Sequence, residues 1–299
     1  MNNKLRGTGV AIITPFHKEG SIDFKSFENI IDFQINNKVD YLVFLGTTGE
    51  SVTLNNDERN AVINFAVEIV RDRVPIVIGI GGNNTQQIIN TIKKTDFSGV
   101  HAVLSVSPYY NKPQQKGIYQ HYKAIAGVAP LPVIIYNVPG RTGSNINAET
   151  TLKIARENSN VIAIKEASKD LDQISRIIKE KPGEFLVLSG DDLFTLPLLA
   201  IGGDGVISVT ANAFPAEFSA MVKHGLNGEF EKARKINLWL LDIIQAAFAD
   251  GSPSGIKAAL SMKGFCQNVL RLPLVKVNKS VYNHISKILE EMQKFPVLK

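Results

Sequence analysis

The sequence predicts an α/β protein: a closed (β/α)8 TIM barrel with a C-terminal helical appendage. Short apolar runs rich in β-branched residues alternate with longer amphipathic stretches, eight times in succession. The eight units span roughly 225 residues, a fitting length for such a barrel. From about residue 229 the strand candidates stop, while Phe230, Ala233, Ile236, Leu240, Ile243, Ile244 and Ala247 recur at helical spacing. The chain therefore divides into a barrel, residues 1–228, and a helical region, residues 229–299. Periodicity does not show closure, so an open doubly wound sheet remains the competing architecture.

The strand candidates are 10–14, 41–45, 75–80, 101–106, 132–136, 161–165, 185–189 and 205–208. Helix candidates lie near 23–37, 57–71, 85–96, 115–127, 147–157, 168–180, 191–201 and 214–225. Asn55-Asn56-Asp57-Glu58 has the form of a helix start, a capping side chain with a reciprocal glutamate. Asp191 and Asp192 are expected to be helix-starting caps rather than a catalytic pair. Gly202, Gly203 and Gly205 read as a tight turn entering the eighth strand.

With 44% apolar and 20% charged residues in a chain of 299, this is a folded globular protein and not a disordered one. A single cysteine, Cys266, excludes an internal disulfide framework and suits a reducing cytoplasm. The N-terminal apolar run is stopped by Thr14-Pro15, which is not a secretory pattern, and no apolar run approaches membrane-spanning length. The expected location is the cytoplasm, away from membranes. The net charge of +5 is uneven: from Gly255 onward eight Lys/Arg face only Glu290 and Glu291, leaving −1 for residues 1–254. Those cations are singly spaced and lack interleaved stacking aromatics, so they read as a solvated helical face and not a nucleic-acid surface.

In a barrel of this kind, function sits at the strand C-termini. The sixth strand, Val161-Ile162-Ala163-Ile164-Lys165, ends in an amine. Alternation places Val161, Ala163 and Lys165 on one face, and small Ala163 leaves room for the lysine to stay inside. A desolvated lysine has a lowered pKa and is a nucleophile toward carbonyls, whereas a snorkelling one stays charged. The other strand ends supply hydroxyls, phenols and glycines. Gly46-Thr47-Thr48-Gly49-Glu50-Ser51 can hold a small carboxylate or be an ordinary turn. Tyr136 can pass protons or be a core aromatic, and Arg141 can grip a carboxylate or sit in a surface turn. Tyr109 and Tyr110 cannot both face inward on an extended segment, so one of them reaches a partner or ligand.

Other chemistries fit poorly. Gly79-Ile80-Gly81-Gly82-Asn83-Asn84 lacks the third glycine of a dinucleotide fingerprint. The five histidines show no paired metal spacing, and Cys266 has no evident base.

The motifs nonetheless match a known pattern almost end to end. Gly46-Thr47-Thr48-Gly49-Glu50-Ser51, Pro108-Tyr109-Tyr110-Asn111-Lys112-Pro113, Tyr136-Asn137-Val138-Pro139-Gly140-Arg141-Thr142-Gly143, Ile164-Lys165-Glu166-Ala167 and Ser189-Gly190-Asp191-Asp192 carry the match. The chain resembles the 4-hydroxy-tetrahydrodipicolinate synthase (dihydrodipicolinate synthase) family, within the class I aldolase superfamily that includes N-acetylneuraminate lyase. That resemblance implies a Schiff-base lyase condensing pyruvate with L-aspartate 4-semialdehyde in lysine and diaminopimelate biosynthesis. It implies that Lys165 forms the imine and that Thr47, Tyr136 and Tyr110 relay protons, Tyr110 crossing a tight dimer into the neighbouring site. Thr48 would hold the pyruvate carboxylate, Arg141 the incoming carboxylate, and Gly190 and Ile207 would line the site through backbone groups. No metal or organic cofactor is implied. The expected assembly is a homotetramer built from two tight dimers, though dimers occur. Sialic-acid and 2-keto-3-deoxy-sugar-acid aldolases of the same superfamily usually lack an arginine at the Arg141 position. A non-catalytic barrel that binds a keto acid would need no proton relay.

Many members of the resembled family are inhibited by lysine at a cleft beside the tight-dimer interface. The matching positions here are Ser51, Val52, Asn56, Arg59, Asn83, Gln87 and Tyr109. Lysine-sensitive members commonly carry histidines where this chain has Asn56 and Arg59, and a glutamate where it has Gln87. Neutral Gln87 cannot make a charge-assisted bond to an ammonium, and Arg59 adds a positive charge. The expectation is weak lysine inhibition or none.

Overall fold

A computed structural model describes residues 2–298, with side chains from residue 4 onward. Eight parallel strands follow one another around a closed barrel and return from the eighth to the first. They are β1 (Gly7–Ala11), β2 (Tyr41–Phe44), β3 (Ile76–Gly79), β4 (Ala102–Val106), β5 (Val133–Asn137), β6 (Val161–Glu166), β7 (Leu186–Ser189) and β8 (Gly205–Ser208). This closure excludes the open sheet. Each of the first seven strands is followed by helix: α1 (Phe24–Asn36), α2 (Asn56–Val70), α3 (Thr85–Lys94), α4 (Gln115–Ala126), α5 (Pro139–Thr142) with α6 (Ala148–Glu157), α7 (Leu171–Glu180) and α8 (Thr195–Ala200). After β8 come α9 (Pro215–Leu226), α10 (Phe230–Phe248), α11 (Ser254–Met262) and α12 (Lys279–Lys294). The last three pack on one another, and α10 lies against α9 and α8. Residues 1 and 299, the outer ends of the expected barrel and helical region, lie outside the described residues.

Two apolar layers hold this together. Inside the barrel, Ala11, Tyr41, Val43, Val77, Leu104, Ile134, Ala163, Leu188 and Ile207 fill the lumen. Outside, residues such as Val10, Leu42, Phe44, Ile78, Val103, Ile135, Ile164 and Val187 face the helices. Neighbouring strand residues fall into opposite layers, as side-chain alternation requires.

Several boundaries differ from the sequence reading for identifiable reasons. The first strand begins at Gly7, not residue 10, although Gly7-Thr8-Gly9 has a turn-like composition. A Cβ on Gly9 would lie 2.2 Å from the ring of Tyr41, so only glycine lets that fully buried ring cross the strand. In β6 the pairing with β5 slips: Val133 pairs with Val161, but Ile134 pairs with Ala163. Ile162 is the extra residue and joins the lumen cluster, while Val161 joins the outer layer. Val161 is thus not on the Lys165 face. Helix α7 starts at Leu171 because Lys169 has φ 65° and the Asp170 side chain accepts the Gln173 N–H at 3.0 Å. The capping box at α2 is present: Asn55 accepts from Glu58 N–H at 2.9 Å, and Glu58 accepts from Asn55 N–H at 3.0 Å.

Gly9→Ala should lower the melting temperature by several degrees, a loss of about 1–3 kcal/mol, because overpacking a rigid aromatic contact has that typical cost. Thermal unfolding monitored by circular dichroism measures it. An unchanged melting temperature would show that Tyr41 can move.

Candidate active site

Strand order brings the singled-out residues to one end of the barrel. Tyr136 and Lys165 are register partners on adjacent parallel strands, so both project into the mouth side by side. Lys165 is 5% exposed, and its Nζ lies 4.2 Å from the centroid of the Tyr136 ring. Gly190 follows β7 and flanks the lysine: a Cβ there would stand 3.1 Å from Lys165 Cγ and 3.2 Å from Cε. Room for the amine thus comes from Gly190 beside it, as well as from Ala163 two residues before it in β6. Ile207, from β8, is buried in the lumen cluster.

The second strand leads into the hydroxyl-bearing turn. Leu45 and Glu50 bracket it with left-handed backbone, φ 57° and 52°. Thr14 Oγ1 donates to Gly49 O at 2.7 Å and so pins the turn to the segment following β1. Thr47 is exposed to the mouth, whereas Thr48 is buried. Arg141 belongs to α5, a single turn started by Pro139, and is exposed over the mouth. Tyr110 has φ 72° and is 88% exposed, standing away from its own barrel.

A cavity of about 730 Å³ is lined by Thr47, Tyr136, Arg141 and Lys165. It continues without a break to Ser51, Val52, Asn56, Arg59, Asn83, Gln87 and Tyr109. The expected catalytic mouth and regulatory cleft are two parts of one space in the single chain. Thr48, Gly190, Ile207 and Tyr110 are not among the residues lining it. Arg59 is engaged: its Nε and Nη2 donate to Ser51 O at 3.2 and 2.9 Å. Among the described residues there is no cluster of three or more metal-ligating side chains.

The electrostatics follow from burial. Desolvation lowers the Lys165 pKa from 10.5 to about 7; the Asp192 carboxylate pulls it up and the Arg141 charge pushes it further down. Burial pushes the Tyr136 phenol up to about 12, against the Arg141 charge and the Thr47 hydroxyl, both of which favour the phenolate. The site therefore holds a phenol that keeps its proton beside an amine that readily loses one. An ordinary lysine would be neutral in only about one molecule in a thousand near pH 7.5.

Three contributors escaped the sequence reading. Asp191 behaves partly as expected, its Oδ1 accepting from Leu193 N–H at 3.0 Å. Asp192 is no helix cap: it is 2% exposed and accepts from Thr210 N–H and Thr210 Oγ1 at 2.7 and 2.6 Å, clamping the exit of β8. On the helix side of the barrel wall, buried Glu166 accepts from Asn137 Nδ2 at 2.9 Å, Ser168 N–H at 2.7 Å and Gln173 Nε2 at 3.0 Å. That network ties the residue after Tyr136 to the residue after Lys165. The third is Glu50, paired with Lys257 from the far end of the chain. A long apolar run around a charge, as in Gly255-Ile256-Lys257-Ala258-Ala259, is the signal that could have marked Lys257 as buried.

The dihydrodipicolinate synthetase family matches residues 4–292. This chain belongs to that family. It is 51% identical over 288 residues to the 4-hydroxy-tetrahydrodipicolinate synthase of Parabacteroides distasonis, spanning 96% of this chain and 97% of the relative. The enzyme of the same name from Thermotoga petrophila is 43% identical over 289 residues, 96% of this chain and 98% of that one. Among solved structures, dihydrodipicolinate synthase from Thermotoga maritima superposes with a TM-score of 0.94 at 42% identity, covering 96% and 98% of the two chains. The Cyanidioschyzon merolae protein, solved with lysine bound, gives 0.92 at 36% identity, with 96% and 98% covered.

Attack on a carbonyl by the Lys165 amine would need its lone pair, so the rate of any such adduct should rise with pH through about 7 and level off above. Arg141→Ala removes a positive neighbour that favours the neutral amine, so this limb should move to higher pH. Borohydride trapping of pyruvate as a function of pH reads both; a limb that stays put in the variant would mean the guanidinium does not act on the amine.

Proposed function

We propose that this protein condenses pyruvate with L-aspartate 4-semialdehyde to 4-hydroxy-tetrahydrodipicolinate, through an imine on Lys165. The observation that carries the reading is a buried amine with a pKa near 7, lying over the ring of Tyr136 at the mouth of a barrel of this family. The neutral Lys165 Nζ attacks the pyruvate ketone carbon, and loss of water leaves an imine. The protonated imine accepts the electron pair of a methyl C–H bond when that proton departs, which gives an enamine. The enamine carbon attacks the aldehyde carbon, and the resulting oxyanion takes up a proton. The amino group of the added substrate then displaces Lys165 from the imine, closing the ring.

Each proton movement needs a group within reach. Tyr136, beside the amine, and Thr47, on the mouth wall, are assigned to the relay, completed by Tyr110 of the partner subunit. Exposure of Tyr110 in a single chain supports that crossing, since its own barrel offers it no burial. Thr48, buried behind the cavity surface, is assigned to the pyruvate carboxylate and Arg141 to the semialdehyde carboxylate; Gly190 makes room beside Lys165, and Ile207 packs in the lumen. We assign the chain to the cytoplasm and to a homotetramer of two tight dimers.

The test is borohydride reduction with pyruvate, followed by peptide mapping and a panel of aldehydes. Pyruvate should be found on Lys165, and aspartate semialdehyde should be the preferred acceptor over sugar aldehydes. Lys165→Ala should abolish turnover, and Lys165→Arg should not restore it, because a guanidinium stays protonated. Arg141→Ala should reduce use of the semialdehyde about tenfold or more, from the loss of a charge-assisted pair of roughly 1.5–3 kcal/mol. An adduct on a different lysine would sink the mechanism.

For the cleft, we propose weak lysine inhibition or none, in contrast to the lysine-bound Cyanidioschyzon merolae relative. The acid lining the joined cavity, Glu50, is already paired with Lys257, while Gln87 is neutral and Arg59 cationic. Lysine titration at subsaturating pyruvate checks this. Strong saturable inhibition would refute it; Gln87→Glu should raise lysine affinity.

A further inference from the structure

The turn that carries Thr47 and Thr48 is gripped from the other end of the chain. Lys257, on α11, is wholly buried, and its Nζ pairs with Glu50 Oε1, which is equally buried. The same Nζ donates to Val269 O at 3.0 Å and lies 4.2 Å from the Phe16 ring centroid. The other carboxylate oxygen of Glu50 accepts the Arg271 backbone N–H at 3.0 Å. The Arg271 side chain donates to Thr53 O at 2.9 Å, to Gly20 O at 2.6 and 2.9 Å, and to Glu58 Oε2 at 2.8 Å. Segment 50–53 is therefore fixed at both ends by residues more than 200 positions away.

A buried ion pair is weak evidence for stability, because desolvating two charges offsets most of their attraction; its attested use is to fix one arrangement among several. Here there is an arrangement to fix. Glu50 sits in left-handed backbone, which a non-glycine residue keeps only where its surroundings over-determine it. Both of its carboxylate oxygens and the carbonyl of Thr53, which ends the adjoining 3-10 turn (Ser51–Thr53), are held by the tail.

We propose that Lys257 and Arg271 are positioning residues for catalysis: through Glu50 they hold the Thr47-Thr48 turn in register with Lys165 and Tyr136. The C-terminal helical region then completes the active site and is no mere packing appendage. This rests on the reading of Thr47 and Thr48 given above.

Lys257→Met leaves Glu50 as an unpaired buried charge and can fail to fold. The decisive variant is therefore Lys257→Met combined with Glu50→Gln, which removes both charges together, beside Arg271→Ala and Arg271→Lys in the full-length assembly. Active sites are counted by borohydride-trapped pyruvate, and kinetics are taken well below each melting temperature. The double variant and Arg271→Ala should trap pyruvate on Lys165, with KM for pyruvate raised about tenfold or more and kcat per trapped site lowered comparably. Arg271→Lys should recover part of that loss. Lys181→Met serves as the control, since it breaks a part-buried pair with Asp204 at the opposite end of the barrel; it should lower the melting temperature with kcat and KM unchanged. Variants that lose only thermal stability, with wild-type kcat per trapped site and wild-type KM, would overturn the inference while leaving the functional reading intact. A wild-type protein that traps no pyruvate would overturn both.

Discussion

Keeping an amine uncharged inside a folded protein is the constraint on which the site depends. Water solvates an ammonium so well that a lysine takes up its proton unless the surroundings exclude solvent on nearly every side. That exclusion is achieved by the barrel itself. Strand β6 is buried along its whole length, Leu188 and Ile207 close the lumen beside it, and Gly190 lets the stem lie flat instead of reaching outward. Asp192 works in the opposite direction, since its charge favours the ammonium. The pKa consequently settles near 7 and is not driven far lower, a compromise suited to the role proposed for Lys165, attack on a carbonyl and later uptake of a proton.

The fold was legible because parallel barrel strands are buried on both faces, so each reads as a short apolar run whatever its neighbours do. Seven strands coincide with such runs to within a residue, β1 shares only Val10 and Ala11 with its run, and the errors fall where a non-local contact overrides local pattern. Gly7-Thr8-Gly9 looks like a turn until the ring of Tyr41, more than thirty residues away, is laid across it. The bulge at Ile162 depends on how β5 pairs with β6, which no single strand reveals. The same distinction separates the site residues. Lys165, Tyr136, Thr47 and Arg141 stand at strand ends and in loops, where their chemistry is written in short motifs. Asp192 resembled a helix cap because its partners, Val209 and Thr210, belong to the next βα unit. Glu50 and Lys257 were unreadable as a pair because only the folded chain brings them together.

Behind Tyr136 and Lys165, on the helix side of the strands, lies a buried polar layer. Asn137 Nδ2 donates to both Asn145 Oδ1 and Glu166, while Asn137 Oδ1 accepts the Ile146 N–H at 3.0 Å. Asn145 Nδ2 in turn donates to Gln173 Oε1 at 2.7 Å. Buried networks of this kind are costly when incomplete and rigid when complete. Here the network spans the ends of β5 and β6, the segment after α5 and the first turn of α7. The residues next to Tyr136 and Lys165 are thereby locked to one another, which holds the Lys165 amine 4.2 Å from the centroid of the Tyr136 ring.

The turn after β2 has a second consequence through its shared walls. Thr47 faces the mouth, and Ser51 and Val52 face the adjoining part of the cavity, so one short segment forms the boundary of both. Arg59 belongs to that boundary as a strut, with two N–H groups on Ser51 O, and its guanidinium is only partly free to receive a ligand carboxylate. A ligand that drew Arg59 away would release the Ser51 carbonyl and loosen the segment whose other end carries Thr47. Any coupling between cleft and mouth thus has a physical carrier within a single chain. Its stiffness is set by the opposing grip on Glu50 and Thr53, since a segment held at both points transmits little displacement. On the proposal that this grip positions the Thr47-Thr48 turn, the same grip would insulate the turn from the cleft, where Glu50, the acid among the described lining residues, is already paired with Lys257.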